Sequence, residues 1–489
     1  MTERRLVGID LGITSSHTVR VLREDSSEVC RRRCWPQLDS LEEVEAAALA
    51  GAPPELRLEV VIEPTGPAWL PIAVFFCSHG HTVYRVSSAK AADLRRFLSR
   101  HAKSNSIDAE TLARLPLVDP GGLRPLQLPD GPGARLDRRV RTTDRLTRLV
   151  ADHKRRLKDL VRQLLPMSPL EGHLGRADVA VLASTGADPR RLLAIGRPRL
   201  ARLITKASHG HQGQERAKAW LDAAHFAVEL YGDHPAVAYS DRAAEVVTEV
   251  RLLLATEAEL VAHESAREEA YRQVDPRQLA RSLPGFAEVN GPALVALTGA
   301  ADRFPSGSHF RSFTGLAPRA SETGETDRKG QPMSKAGPDL LRTTLLRAAD
   351  TARQLDPQLA RIYYVQMVER GACHTKALCV VAAHLAERAW AVLRRGTPYQ
   401  FRAVDGRPLT EQEAKAIVAA DWKVPEEVRR RRRSKKHGGK APHQVLAGHA
   451  QRARSPHTRR PSPHPMVTPQ LTPIKRPLGT VMERTNVPS

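Results

Sequence analysis

Three acidic residues occupy positions from which carboxylates can bind metal ions. Asp10 ends the apolar stretch "RLVGID", Glu63 ends a second apolar stretch, and Asp108 opens a helical pattern. Carboxylates at strand ends and at a helix start can meet at one edge of a sheet. Two Mg²⁺ ions about 4 Å apart could then position the attacking and leaving oxygens of a phosphodiester. Alone, each residue is more often a turn residue or helix cap. Their order and settings favour a metal site without establishing it.

The composition indicates a polyanionic partner. The chain has 489 residues and a net charge of +22, and only 4% of its residues are aromatic. A surface with this positive charge attracts polyanions, so nucleic acid is the first partner to consider. No apolar run reaches the roughly 18 residues that a membrane span requires. The five cysteines form no disulfide framework, and no signal peptide precedes the first strand pattern. We therefore expect a cytoplasmic protein with no membrane partner.

The elements that must position the carboxylates follow from periodicity. Strand patterns at "RLVGID", "HTVRVL", "LRLEVVIE" and "HTVYRVSS" come before the helical "AKAADLRRFLSRH", which predicts an α/β sheet in the first segment. Residues 140–165 and 241–274 then show apolar residues at helical spacing on charged rods. The second rod is compatible with a helix packed within its own chain or with a coiled-coil dimerisation arm.

The last segments differ from the first. "SLPGFAEVNGPALVALTG" is compatible with a helix-hairpin-helix that grips phosphate through backbone amides, or with an ordinary helical turn. Residues 425–489 hold fifteen Lys/Arg against three Glu, without periodicity, which predicts a disordered basic tail. The tail either aids nucleic-acid binding or is a dispensable extension.

The first segment resembles the N-terminal domain of transposases of insertion sequence family 110. The blocks "GIDLGITSSH", "VIEPTG" and "KSNSIDAETLARL" carry this resemblance. It implies a RuvC-like, RNase H-like fold with an Asp-Glu-Asp-Asp metal set, in which Asp10, Glu63 and Asp108 bind Mg²⁺ or Mn²⁺. Asn105 stands where the third carboxylate is usual. An amide oxygen can bind a metal but brings no charge.

The third segment resembles the second conserved domain of the same family. "FTGLAPRASETGETDRKGQPMSKAGPDLLR" matches Gly-Leu-x-Pro, a Ser-Gly, and Ser-Lys-x-Gly followed by Leu-Arg. The resemblance implies a hydroxyl nucleophile that attacks a DNA phosphate and forms a covalent link. Counting without gaps from Pro318 places Thr323 at the position of the nucleophile. Ser321 lies two residues earlier and is favoured by its chemistry, because its unbranched side chain is less crowded for attack on phosphate. Both remain candidates.

Basic residues near both blocks are candidates for nucleic-acid binding. Lys335 and Arg342 match the family motif, Arg319 adjoins the Ser/Thr loop, and Lys103 precedes Asp108. Cations at such positions can hold phosphate by charge and by bidentate hydrogen bonds. A solvated helix face is the alternative role for these residues.

The sequence thus predicts a chain of four parts: an RNase H-like α/β domain at 1–165, a helical or coiled-coil segment at 166–275, a mainly α transposase domain at 276–400 and the tail at 425–489. We expect a DNA transposase or recombinase that acts on element ends and target DNA as a dimer or tetramer. The resemblance also implies a noncoding guide RNA, although no RNA-reading motif is present. It further implies a bacterial protein that is associated with the nucleoid when bound to DNA. Two alternatives are a RuvC-type nuclease that uses water and an inactive nucleic-acid-binding remnant of a mobile element.

Overall fold

The first domain is built on one mixed five-stranded sheet. The computed structural model describes residues 3–98, 104–170, 172–319, 322–323, 326–327 and 331–432, and the predicted tail lies almost entirely outside these ranges. The strands of the sheet are β1 (Arg5–Asp10), β2 (His17–Arg23), β3 (Glu28–Cys34), β4 (Leu58–Ile62) and β5 (Thr82–Arg85). Their order across the sheet is β3-β2-β1-β4-β5. β2 is antiparallel to both β1 and β3, whereas β1, β4 and β5 run parallel.

Helices cover both faces of this sheet. They are α1 (Leu38–Leu49), α2 (Trp69–Ser78), α3 (Ser88–Leu98) and α4 (Asn105–Val118). Val7 and Ile9 of β1 share a buried core with α1 and α2, whereas Leu6 packs against Ala113 of α4. Alternate residues of β1 therefore face opposite helical layers. This arrangement agrees with the predicted RNase H-like α/β domain.

A pair of long antiparallel helices follows. These are α5 (Gly131–Leu164) and α10 (Tyr239–Val274), and they lie side by side over most of their length. Lys154 Nζ lies 2.7 Å from a carboxylate oxygen of Glu257, and His153 Nδ1 lies 2.6 Å from Glu249. One face of α10 is thus packed against its own chain, which was one of the two alternatives for the helix predicted at 241–274. A coiled-coil dimerisation arm remains a prediction.

Between the long helices lies a set of shorter ones. They are α6 (Arg176–Thr185), α7 (Pro189–Ile195), α8 (Arg197–Ala207) and α9 (Gln214–Tyr231). Trp220 is fully buried among them, and its core extends onto α5 and α10. Residues 166–240 are therefore a packed helical unit as well as a connection between the long helices.

The C-terminal part is mainly helical, as predicted. It consists of α11 (Asn290–Thr298), α12 (Gly307–Phe313), the short strands β6 (Glu322–Thr323) and β7 (Thr326–Asp327), α13 (Asp339–Ala352), α14 (Pro357–Tyr364), α15 (His374–Arg395), α16 (Glu411–Asp421) and α17 (Glu426–Arg431). One continuous core joins these helices, except α16, to the N-terminal end of α5 and the C-terminal end of α10. α16 packs in a separate small cluster with Ala403 and Leu409. Every helix in the described ranges is too short or too polar to cross a lipid bilayer.

The start of this part was compatible with a helix-hairpin-helix or with an ordinary helical turn. A single 3-10 turn, Ala280–Ser282, stands before the Leu-Pro-Gly turn where the motif requires an α-helix. Gly291 and Pro292 at the start of α11 are buried in the core. The amide of Gly291 already donates to the carbonyl oxygen of Ala287 at 2.9 Å, and Pro292 has no N–H, which favours the ordinary helical turn.

Candidate active site

Asp10 and Glu63 lie side by side at one edge of the sheet. β1 and β4 are parallel neighbours, and Ile9 is paired with Ile62, so the residue that follows each is a carboxylate. Both acidic side chains are half-buried. By strand alternation, Asp10 follows Leu6 and Gly8 on the α4 face, and Glu63 follows Val61. The register thus directs two of the predicted ligands towards the same helix.

α4 brings Asp108 to that face through direct contact between backbones. A Cβ atom on Gly8 would lie 1.9 Å from the carbonyl oxygen of Ala109 and 2.4 Å from the amide nitrogen of Ala113. The absence of a side chain on Gly8 is therefore what allows the helix to rest on β1. Asp108 immediately precedes Ala109 and lies in the first turn of α4. Ala109 contacts Gly8, which is two residues before Asp10 on β1.

The start of α4 is fixed by a side-chain cap. Ser104 Oγ accepts a hydrogen bond from the amide of Ile107 at 3.3 Å, so Asn105 becomes the first helical residue. Asn105 is exposed and lies three residues before Asp108, on the same side of the helix. Lys103 lies outside the described residues.

Asp108 is engaged by an arginine that sequence reasoning did not single out. Arg95 Nη1 of α3 donates to Asp108 Oδ1 at 2.9 Å, and both side chains are largely buried. Arg95 lies thirteen residues earlier on another helix. Only the packing of α3 on α4 brings the two together, so the sequence carried no signal for the pair.

The donor set fits a divalent ion by chemistry and by its common edge, but not by the present spacing. Three carboxylates and one amide oxygen are hard ligands of the kind that Mg²⁺ prefers. Within the described ranges, however, no three His, Cys, Asp or Glu side chains are grouped closely enough to hold one metal ion. Asp108 is paired with Arg95, so this carboxylate would have to exchange the guanidinium for a metal ion before it could act as a ligand.

The second candidate region is a hairpin that projects from the C-terminal helices. Arg319 N donates to Pro332 O at 2.9 Å, Ser334 N to Ala317 O at 2.8 Å, and Lys335 N to Gly315 O at 3.1 Å. Farther out, β6 pairs with β7, and Thr323 lies opposite Thr326. Thr323 is thus the last paired residue before a two-residue connection, and Ser321 lies outside the described residues.

The base of this hairpin is held by two glycines and one arginine. A Cβ on Gly337 would lie 1.8 Å from Phe313 O, and one on Gly315 would lie 2.9 Å from Gly337 N. Arg342 Nη1 donates to the carbonyl oxygens of Lys335 and Gly337 at 3.4 and 3.3 Å, and the same guanidinium pairs with Asp339.

The basic candidates of this region therefore differ in availability. The guanidinium of Arg342 is mostly buried and supports the hairpin base. Lys335 and Arg319 are exposed, and Lys335 has a left-handed backbone with φ of 55°. This geometry gives Arg342 a positioning role and leaves Lys335 and Arg319 accessible to phosphate.

Both regions coincide with separate family models. Residues 7–166 match a model described as a transposase of the IS110 type with a DEDD domain. Residues 277–364 match the model of the transposase IS116/IS110/IS902 family. The chain belongs to the IS110 family of transposases.

Curated relatives of this IS110-family chain agree. A 43.6 kDa protein of insertion element IS110 from Streptomyces coelicolor is 31% identical over 26% of the chain and 30% of the relative. A 42 kDa protein of IS900 from Mycobacterium paratuberculosis is 27% identical over 53% of the chain and 64% of the relative. A 44.8 kDa protein of IS116 from Streptomyces clavuligerus is 26% identical over 50% and 61%. The match spans less than two thirds of each relative.

Proposed function

We propose that this protein cuts and rejoins DNA as the transposase of an insertion sequence. The observation that carries the proposal is the placement of Asp10, Glu63 and Asp108. Two of them follow paired residues of neighbouring parallel strands, and the third lies on the helix that rests on Gly8. The edge would hold a divalent ion for phosphodiester processing once Asp108 exchanges Arg95 for the metal, with Asn105 as a fourth oxygen donor. When bound, Mg²⁺ or Mn²⁺ would polarise the scissile phosphate.

The residues of the chain divide into two roles in this proposal. The carboxylate edge would hold a divalent ion, whose charge would orient the scissile phosphate, while the hairpin supplies a hydroxyl from Ser321 or Thr323. Attack by that oxygen forms a new O–P bond, breaks the P–O bond to one DNA strand, and transfers the hydroxyl proton to the leaving oxygen. The reverse attack by a different DNA end restores a phosphodiester and frees the side chain.

Basic residues would hold the rest of the nucleic acid. Lys335 and Arg319 flank the hairpin base, and Lys103 adjoins the metal-side block, so each could contact a phosphate. Recognition of element ends and target would then involve a noncoding guide RNA and a homo-oligomer, as the family resemblance implies. The overall charge of +22 is compatible with both nucleic acids.

A covalent-adduct assay tests this function. Labelled DNA carrying the native element flanks is incubated with protein and Mg²⁺, then resolved on a denaturing gel. We expect a protein–DNA adduct that is lost in Asp10→Asn and in either Ser321→Ala or Thr323→Ala. Ser312→Ala, an exposed serine of α12 outside the hairpin, is the matched control and should retain the adduct.

The two alternatives give different results. Cleavage without an adduct, unchanged by both hydroxyl substitutions, would indicate a nuclease that uses water. Binding without cleavage in any divalent metal would indicate an inactive remnant. Either result would overturn the proposed chemistry.

A further inference from the structure

A cavity of about 510 Å³ lies in the C-terminal part. It opens where the end of α13, the end of α14, the start of α15 and the short helix α17 meet. Its lining consists of Asp350, Arg353, Tyr363, Met367, His374, Glu426, Arg429 and Arg430. The predicted active-site residues are not among them.

α17 is fastened to the wall of this cavity. The amide of His374 donates to the carbonyl oxygen of Arg432 at 3.0 Å, and the guanidinium of Arg432 donates to the carbonyl oxygen of Met367. Val428 packs against the C-terminal core. The first residues of the arginine run therefore have a defined position on the folded domain.

A buried tyrosine orients the histidine of the cavity. Tyr363 is 3% exposed, and its hydroxyl lies 2.7 Å from His374 Nδ1. Burial raises the pKa of Tyr363, so the phenol stays protonated. Among the described residues, His374 Nδ1 is the hydrogen-bond partner of this buried hydroxyl, so the phenol donates and Nδ1 accepts. Burial also lowers the pKa of His374, against a raising effect of Asp350, so the ring is neutral near pH 7. The proton of the neutral ring is then on Nε2, which becomes a hydrogen-bond donor.

Of the three arginines that line the cavity, one is held by neighbouring groups and two are available to a ligand. Arg353 pairs with Asp350 at 2.7 Å, and its guanidinium lies 4.4 Å from the centroid of the Tyr363 ring. Arg429 and Arg430 are exposed, and neither side chain has an ion pair or hydrogen bond within the described part of the chain. Two unpaired guanidiniums and an N–H donor are a set of groups suited to an anion with several oxygens.

We propose that this cavity binds a phosphate group of a nucleic-acid backbone, with His374 Nε2–H, Arg429 and Arg430 as donors. The sequence supports a polymer over a free anion, because the run from Arg429 continues through Arg433 to Lys435 and Lys436. The proposal rests on the proposed function only in that nucleic acid is the partner, and it requires neither the metal site nor the hydroxyl.

The test exploits neighbouring arginines on one short helix. Arg430 lines the cavity, whereas Arg431 is equally exposed and does not. Full-length Arg430→Gln and Arg431→Gln each lose one charge. Affinity for a short DNA duplex and for an RNA duplex of equal length is measured by fluorescence anisotropy in EDTA over a series of salt concentrations. EDTA removes any chemistry, so failure of the adduct assay does not affect this result.

We expect Arg430→Gln to weaken binding by about tenfold, because one or more charge-assisted hydrogen bonds to phosphate are lost. Its slope of log affinity against log salt should fall by about one. Arg431→Gln should weaken binding less than twofold. A selective effect on the DNA duplex identifies DNA as the strand bound, and one on the RNA duplex identifies RNA. Equal weakening of both nucleic acids by both variants would overturn the proposal, because charge alone would then explain it.

Discussion

At the scale of residues, ion pairs fix the helix that carries Asp108. Arg95 donates a hydrogen bond to Asp108 itself, and two residues later Glu110 accepts hydrogen bonds from Arg20 of β2 and from Arg114. The Arg20–Glu110 contact ties α4 to the sheet at the edge that bears the carboxylates. Residues with no catalytic role in the proposal thus determine where the catalytic candidates lie.

The Glu110 contact predicts a pH-dependent stability. Burial raises the pKa of Glu110, but the hydrogen bond from Arg20 and the charges of Arg114 and Arg20 outweigh it and hold the pKa below 4.5, its ordinary value. A depressed pKa stabilises the folded state above the unfolded pKa, and this stabilisation is lost as the pH falls through the folded pKa.

We therefore expect Glu110→Gln to lower the free energy of unfolding at pH 7 and to converge on the parent protein as the pH falls below 4.5. Urea unfolding at a series of pH values measures the difference. Glu215→Gln, whose carboxylate is exposed on α9, serves as the control and should show no such convergence. A constant difference across the series would contradict the assignment.

At the scale of elements, the approach of α4 to β1 decides whether a common edge exists. Gly8 has no side chain, and the helix backbone occupies the space that a Cβ would fill. The C-terminal hairpin is built in the same way, with Gly337 against the Phe313 carbonyl. In both regions a glycine allows the element bearing a candidate residue to pack directly on its support.

Gly8→Ala should therefore destabilise the first domain strongly. The added methyl would overlap a backbone carbonyl that cannot move without shifting α4, and we expect a loss of about 3 kcal/mol or more. Thermal unfolding followed by circular dichroism measures it. Gly133→Ala in α5 is the matched control, since no atom lies within 4 Å of its added Cβ. Equal melting temperatures for both variants would show that α4 does not rest on Gly8.

At the scale of the whole molecule, α10 links the central helical unit to the C-terminal core. Near its end, Tyr271 Oη donates to Asp275 Oδ2 at 2.8 Å, and the same carboxylate accepts the amides of Leu279 and Ala280, each at 2.9 Å. All of these groups except Leu279 are buried. Asp275 thereby stops the helix and fixes the turn that leads into the domain bearing the hairpin.

Tyr271→Phe should weaken this junction. Removing the hydroxyl leaves a buried carboxylate with one donor fewer, at a cost of about 1–3 kcal/mol. Denaturant unfolding followed by tryptophan fluorescence gives the change. Tyr231→Phe removes a hydroxyl for which the described residues provide no hydrogen bond, so it should change stability by less than about 0.5 kcal/mol. Similar losses in the two variants would refute the role of the Asp275 turn.

Much of the fold could be predicted because its signals are local. Apolar alternation gave β1, β2, β4 and β5, and helical spacing gave α5 and α10, since period and composition act over a few residues. β3 was missed because its successive arginines, Arg31, Arg32 and Arg33, hide the alternation of an exposed edge strand. Helices α6 to α9 were not distinguished within the predicted helical segment at 166–275, because their short patterns are interrupted by Pro and Gly.

The sequence by itself determined the family, the α/β and helical segments, and the identity of the candidate carboxylates and hydroxyls, because these depend on residue types at fixed spacing along the chain. Only the tertiary structure decided which groups meet. It paired Arg95 with Asp108, buried Gly291 and Pro292, assigned Arg342 to the hairpin base and placed Arg429 beside His374. Such contacts join residues far apart in sequence, and they form only when whole elements pack, which no local pattern encodes.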